Sequence, residues 1–394
     1  MKKVLLTNIL VTVTLVFIFD ILAYFFLPAR YVAGLTEYRN IPPEVGGNAK
    51  YPRGYFVAHE ERGFDIGPNR QGQHWVDGVT YPIWSNSLGC FDREHDIYEN
   101  YVYFAGDSYT WGYTPYEDKF GTIIEQVTGT QVLKCGVTHT GQKHQYEKLV
   151  ETVDRIEVSP DAIFVFHVPN DIANDFTHPH STVIQGWQVN TVSLDKNFEP
   201  VRHSQQELEE KMQQTLAEQA SVEADKGLWS NLKSDLKRYS LSVSILVYIK
   251  DRIKAARAQQ NAPDTVEQSR SSNIYALPND RDGVYWYLDN PRTQNNRDAL
   301  LDFARFAREA DAEFVVVLIP PLGNSNLDWY AELHQFLNEN GIRFLDLAAE
   351  FDKRQLTHDD LYWAIDGHLK PSGKRHVAEI LLERFPDIFK LSTN

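Results

Sequence analysis

Sulfur and positive charge are what this chain has least of. Its 394 residues include two cysteines and two methionines, and 39 Lys and Arg stand against 54 Asp and Glu, for a formal net charge of −15. So acidic a composition argues against a nucleic-acid partner, because a phosphate backbone is held through basic surface. It also disfavours close contact with an anionic membrane surface anywhere beyond the N-terminal segment. Cys90 and Cys135 are the whole thiol supply. An oxidising compartment would permit one disulfide, but two unpaired buried thiols are the favoured expectation, since free cysteine packs as a small apolar residue. No internal repeat is present. Nor is this the composition of a disordered chain, with 42% of residues hydrophobic and 24% charged. The length suits one large domain with insertions or two ordinary ones.

Long apolar runs are missing except at the start. Lys2 and Lys3 precede a run from Val4 to Leu27, mostly Leu, Val, Ile, Phe and Thr, close to the ~20 residues that span a bilayer. Asp20 is its one charge and lies near enough to one end to reach the interface. Pro28 and Arg30 end it. A cleaved signal peptide has a shorter apolar core and a small-residue cleavage site, and no good site precedes Ala33-Gly34. The expectation is an uncleaved signal anchor over residues 1–30, a single transmembrane helix. Its lysines keep the start cytoplasmic and leave the rest on the extracytoplasmic, periplasmic side.

The stretch around which the remainder is organised is Gly106-Asp107-Ser108-Tyr109-Thr110-Trp111-Gly112, after the apolar run Tyr101–Ala105. That run reads as a buried strand, aromatic and β-branched, broken by a glycine. A serine just past the carboxyl end of such a strand sits where open α/β sheets place their ligand crevice. Downstream, Gly136 follows the strand-like Gln131-Val132-Leu133, and Asn170-Asp171 follows Ala162–Val168. Near the end come Asp366-Gly367-His368, then Pro371 and Gly373.

This order resembles the SGNH (GDSL-type) hydrolase superfamily, whose four blocks supply a serine, a glycine, an asparagine, and an aspartate with a histidine. The resemblance covers residues 84–180 and 297–385. It implies Ser108, Asp366 and His368 as catalytic residues, and the amides of Ser108 and Gly136 with the Asn170 side chain as an oxyanion hole. Trp84-Ser85-Asn86-Ser87-Leu88-Gly89 resembles the stretch that precedes the nucleophile in membrane-anchored members. Those continue with an aromatic residue and an arginine, where Cys90-Phe91 stand here. A single residue separates Asp366 from His368, a spacing found among relatives that handle acetyl groups on polysaccharides.

Strand and helix patterns alternate at 101–105, 120–127, 131–135, 143–156 and 162–168, and again at 297–310, 313–319, 328–340, 343–347 and 372–384. The expected fold is a three-layer, flavodoxin-like α/β architecture, a parallel sheet with helices on both faces. An irregular, partly β leader at 31–98 precedes a first core half at 99–175, and a second core half follows at 291–394. Residues 176–290 break the rhythm and read as a mostly helical insertion. Its helices are placed at 205–224 and 240–257, with a polar loop over 256–272.

A serine hydroxyl needs a base to become a nucleophile at neutral pH. His368 supplies one, Asp366 orients it, and preorganised donors meet the developing oxyanion. Asp107 and Asp171 are expected to be structural, bonding loop amides. His139 and His144 lie near the oxyanion loop, and Trp111 and Tyr113 are candidates to line the pocket. His178-Pro179-His180 lacks a third ligand at metal-like spacing, so no metal and no cofactor is expected. The resemblance implies a serine ester hydrolase acting on O-acyl, most simply O-acetyl, groups of an extracytoplasmic glycan. The same residues would serve a polysaccharide O-acetyltransferase, and a non-catalytic glycan-binding scaffold is the reading from another class. Expected partners are an acylated glycan or other ester, the membrane through the N-terminal helix, and polysaccharide-assembly proteins.

Overall fold

The computed structural model describes residues 2–26, 51–77, 79–96, 98–195, 199–224, 240–243, 245–246, 249–250, 288, 290–320, 331–364 and 366–389. Two antiparallel hairpins come first, β1 (Phe56–His59) with β2 (Gly63–Ile66) and β3 (Gln71–Val76) with β4 (Val79–Trp84). The core strands are β5 (Val102–Gly106), β6 (Val132–Lys134) and β7 (Ala162–His167). Then β8 (Ser181–Ile184), β9 (Trp187–Asn190), β10 (Val192–Leu194) and β11 (Pro200–Arg202) precede β12 (Glu313–Leu318) and β13 (Arg343–Asp346).

One five-stranded sheet runs in the order β13-β12-β7-β5-β6, with all its pairs parallel. Counted within the sheet this is 2-1-3-4-5, the flavodoxin-like order, whose ligand crevice opens where the order reverses, between β5 and β7. β5 and β7 are buried at every residue. That is why their sequences are continuously apolar rather than alternating.

Successive side chains still point to opposite faces. Phe104, Phe164, Phe166, Val315 and Val317 pack with Val377, Ile380, Leu381 and Phe385 on the face covered by the last helix, Pro371–Arg384. Tyr103, Ile163, Val165 and Val316 pack on the other face with Leu149, Leu300, Phe303 and Leu333. Each such side chain contributes roughly 1.5–3 kcal/mol on burial, so both faces hold the sheet that carries the serine turn. A third cluster is aromatic: Tyr55, Phe56, Phe64, Tyr81, Phe91 and Trp111 join the leader hairpins to the serine turn.

Three features depart from expectation. The described part of residues 176–290 holds strands beside its helix: it opens with two antiparallel pairs, β8–β9 and β10–β11, before the helix Gln205–Ala224. Ile184 pairs with Trp187, and Gln185 and Gly186 take φ of 53° and 83° between them. Gly186 makes a two-residue hairpin turn affordable, a short-range signal that outweighs the surrounding polar composition. The 256–272 loop lies outside the described residues.

Cys90 and Cys135 form a disulfide, with 4.6 Å between Cα atoms. The leader loop returns across the end of β6 and brings the two residues together.

Lys2–Phe26 is one helix, yet no helix among the described residues is long and apolar enough to cross a membrane. It carries polar groups along its length. Thr12 and Thr14 bond back to the carbonyls of Asn8 and Leu10, and Asp20 accepts from the amide and hydroxyl of Ser242, 2.8 and 2.7 Å away.

Candidate active site

β5 ends at Gly106, and the chain turns at once into a single helical turn, Ser108–Trp111. Asp107 caps it, its Oδ1 accepting from the Tyr109 amide at 2.9 Å. The turn is tight enough to require glycine on both sides. A Cβ on Gly106 would lie 2.1 Å from Thr110 Oγ1, and one on Gly136 would lie 2.5 Å from the Trp111 amide nitrogen. Gly136 therefore presses its backbone against the serine turn.

His368 reaches this turn from the loop before the last helix. Its Nε2 lies 2.8 Å from Ser108 Oγ, and its Nδ1 is hydrogen-bonded to Asp366 Oδ1. With Nδ1–H donated to the carboxylate, Nε2 is left as the acceptor for the serine proton. Ser108 is 7% exposed and the His368 side chain 17%, so the pair is sheltered but reachable. Asn170, at the end of β7, donates Nδ2 to Asp107 Oδ2 at 3.0 Å, and Ser108 Oγ lies 3.1 Å from the same oxygen. The structure thus brings Ser108, Asp366, His368, Gly136 and Asn170 to one end of the sheet, at its switch point.

Other expected residues fall differently. Asp171 bonds a loop amide, that of Val168, and the Gln142 side chain, and burial, aided by Asp107, pushes its carboxyl well above the usual range. Asp107 does more than bond a loop amide, because Ser108 and Asn170 both converge on it. Trp111 is fully buried and donates to the Tyr55 hydroxyl at 3.1 Å. Its position on the inward side of the serine turn drives it into the leader's aromatic cluster. His144 is buried beside Phe64, and burial holds it neutral, while His139 is exposed at φ 59°. His178 pairs with Glu147 at 3.2 Å. Among the described residues no group of three or more His, Cys, Asp or Glu is placed to hold a metal ion.

Tyr113 was expected near the pocket, but its contact with the histidine was not, and three further residues around the site, Trp363, Asp77 and Lys374, escaped the sequence reading. The Tyr113 ring lies on His368, centroids 3.5 Å apart and planes 11° from parallel, and its hydroxyl meets that of Tyr51 at 2.9 Å. Trp363 donates its indole N–H to the Tyr113 carbonyl at 2.8 Å and its amide to the His368 carbonyl at 2.9 Å. Asp77, at the tip of the β3–β4 hairpin, accepts the Asp366 amide at 3.1 Å. Lys374, fully buried, donates Nζ to the Tyr109 carbonyl and lies 4.9 Å over the Phe120 ring. Burial draws its ammonium down to about 7, against the pull of Asp107. Only Lys374 left a trace in the pattern: with Val377, Ala378 and Leu381 it occupies the i, i+3, i+4, i+7 stripe that should be apolar.

No protein-family model and no curated protein matches the chain. Solved structures do. A member of the lipolytic protein G-D-S-L family from Veillonella parvula aligns over 72% of this chain and 97% of its own, at 12% identity and a TM-score of 0.34. An acetylxylan esterase from Geobacillus stearothermophilus aligns over 72% and 93%, at 13% and 0.34. An acetyl xylan esterase from the rumen bacterium Butyrivibrio proteoclasticus aligns over 75% and 66%, at 10% and 0.33. Likeness this low identifies neither substrate nor activity. The chemistry has to be read from the site.

Proposed function

We propose that the chain is a serine-dependent ester hydrolase that works through an acyl-serine intermediate. The observation that carries this reading is the 2.8 Å contact between His368 Nε2 and Ser108 Oγ, with Asp366 bonded to the far side of the ring. His368 takes the serine proton as Oγ attacks the ester carbonyl. Asp366 holds the ring and stabilises the imidazolium that results. The amides of Ser108 and Gly136 and the Asn170 carboxamide meet the oxyanion, each worth ~3–4 kcal/mol in the transition state. His368 returns its proton to the departing alkoxide. Water, deprotonated by the same imidazole, then attacks the acyl-serine and releases the acid.

The substrate class is an O-acyl, most simply O-acetyl, group on an extracytoplasmic glycan. The half-buried rings of Tyr109 and Trp363 near His368 suit a sugar face. The Cys90–Cys135 disulfide supports an oxidising, extracytoplasmic location. The N-terminal helix exposes Leu10, Phe17, Phe25 and Phe26 by 67%, 66%, 75% and 79%, which supports attachment to lipid through that helix.

The test is turnover of p-nitrophenyl acetate and of acetylated xylo-oligosaccharide by the purified full chain. Turnover abolished by Ser108→Ala is expected, and none by the native chain would overturn the reading. Acetyl appearing on an unacetylated oligosaccharide would make the protein a transferase instead.

A further inference from the structure

The carboxyl of Asp107 stands between two groups that the proposed reaction needs in different ways. Its Oδ2 is 3.0 Å from Asn170 Nδ2 and 3.1 Å from Ser108 Oγ, while its Oδ1 is occupied by the Tyr109 amide. Asn170 occupies the N-cap position of the helix Asp171–Phe176, yet its side chain makes no capping bond there. The ordinary use of an asparagine at this position is therefore given up. What the carboxamide does instead is reach to the next strand and donate one N–H to Asp107. A primary amide has two N–H groups held in one plane. Fixing one on Asp107 fixes the direction of the other.

The serine hydroxyl has one proton and two acceptors within reach, His368 Nε2 at 2.8 Å and Asp107 Oδ2 at 3.1 Å. An Oδ2 that already receives the Asn170 N–H is the weaker competitor, and the imidazole is nearer.

We propose that Asp107 is a positioning residue for the oxyanion hole: it clamps the Asn170 carboxamide across the gap between β5 and β7 so that its second N–H faces the developing oxyanion. The proposal rests on the ester-hydrolase reading for its kinetic consequences, but the clamp is a geometric statement that does not need it. Burial raises the Asp107 carboxyl, and the Asn170 donor is the foremost influence holding it down, as a clamp between these two groups requires.

Asp107→Asn is the informative change. Its Oδ1 still caps the Tyr109 amide, while its NH2 replaces Oδ2 and faces the NH2 of Asn170, two donors with nothing to share. The Ser108–His368 pair keeps its geometry. In the full chain D107N should lower kcat about a hundredfold, the cost of losing one oxyanion donor, and leave KM within about threefold. Asn170→Ala should do the same, and D107N/N170A should be no worse than the poorer single variant, because both remove one unit. Effects that multiply would overturn the clamp.

A second readout is independent of turnover, and its decisive arm uses the native chain. In protein labelled with 15N-asparagine, one side-chain proton of Asn170 should be shifted downfield and protected from exchange with water, and D107N should abolish both. Two freely exchanging Asn170 amide protons in the native chain would sink the proposal whatever the activity. A protected amide in a chain that cleaves no ester would sink the hydrolase reading and leave the clamp standing.

Discussion

The ring of Tyr113 lies flat on that of His368, 3.5 Å between centroids. The histidine sits in a loop, and this face-on contact holds the plane of the ring against the pull of its two hydrogen bonds. Tyr113 takes φ 60° to get there, a conformation few tyrosines adopt. Tyr113→Phe keeps the stack and loses the bond to the Tyr51 hydroxyl, so kcat should stay within about threefold of the native value. Tyr113→Leu removes the flat partner and should lower kcat at least about tenfold, with little change in KM. Equal activities for the two variants would show that the stack does nothing.

The leader reaches Asp366 through Asp77. Asp77 Oδ1 accepts the Asp366 amide at 3.1 Å from a backbone at φ 43°. Asn tolerates that backbone and keeps an accepting oxygen, so Asp77→Asn should be near native. Asp77→Gly tolerates it equally and has no side chain. It should lower kcat several-fold, in line with a hydrogen bond worth about 1 kcal/mol. Steady-state kinetics of the pair decides it, and a fully active glycine variant would show that the Asp77–Asp366 bond does nothing for turnover.

Lys374 sets a pH dependence of stability. Its ammonium, ordinarily at 10.5, is drawn to about 7 by burial in the folded chain. Between those values the unfolded chain holds the extra proton. This group therefore makes stability rise with pH from about 7 to 10.5, by on the order of 5 kcal/mol at the upper end. Urea denaturation of the native chain and of Lys374→Met from pH 6.5 to 10 should show the native chain gaining stability relative to the variant. Parallel curves would contradict this.

The disulfide closes a loop with a sequence separation of 45 and ties the leader to Cys135, the residue before Gly136. Chain entropy alone assigns it about 4 kcal/mol. Cys90→Ala/Cys135→Ala should lower unfolding stability by roughly that amount and reduce kcat in proportion to the freedom gained by the Gly136 amide. An unchanged denaturation midpoint, with and without reductant, would show that packing alone fixes this corner.

How much could be read beforehand follows from distance along the chain. β5, β7 and β12 announce themselves because each is buried on both faces, and the serine turn and Asp366-Gly367-His368 follow from motif and spacing. Nothing local tells that Tyr113 lies under His368, since only the fold brings residues 113 and 368 together. Asp77 is equally silent, a turn residue whose partner is almost three hundred positions away. The β8–β9 hairpin was legible in Gln185-Gly186 but was outweighed by the helix-forming composition that follows it. The cysteine pairing could not come from two isolated residues, because proximity of Cys90 to Cys135 depends on how the leader loop crosses β6. Trp111 misled because a residue three after the nucleophile on a helical turn points inward, not toward substrate.

The central claim is that Ser108 carries the acyl group. Full-length protein mixed with p-nitrophenyl acetate, quenched in acid within the first turnovers and digested for mass spectrometry, should show one acetyl group on the peptide containing Ser108. The mass should be absent from Ser108→Ala and should not accumulate in His368→Ala. Rapid release of p-nitrophenol with no acetyl on that peptide, or with acetyl on another residue, would contradict it.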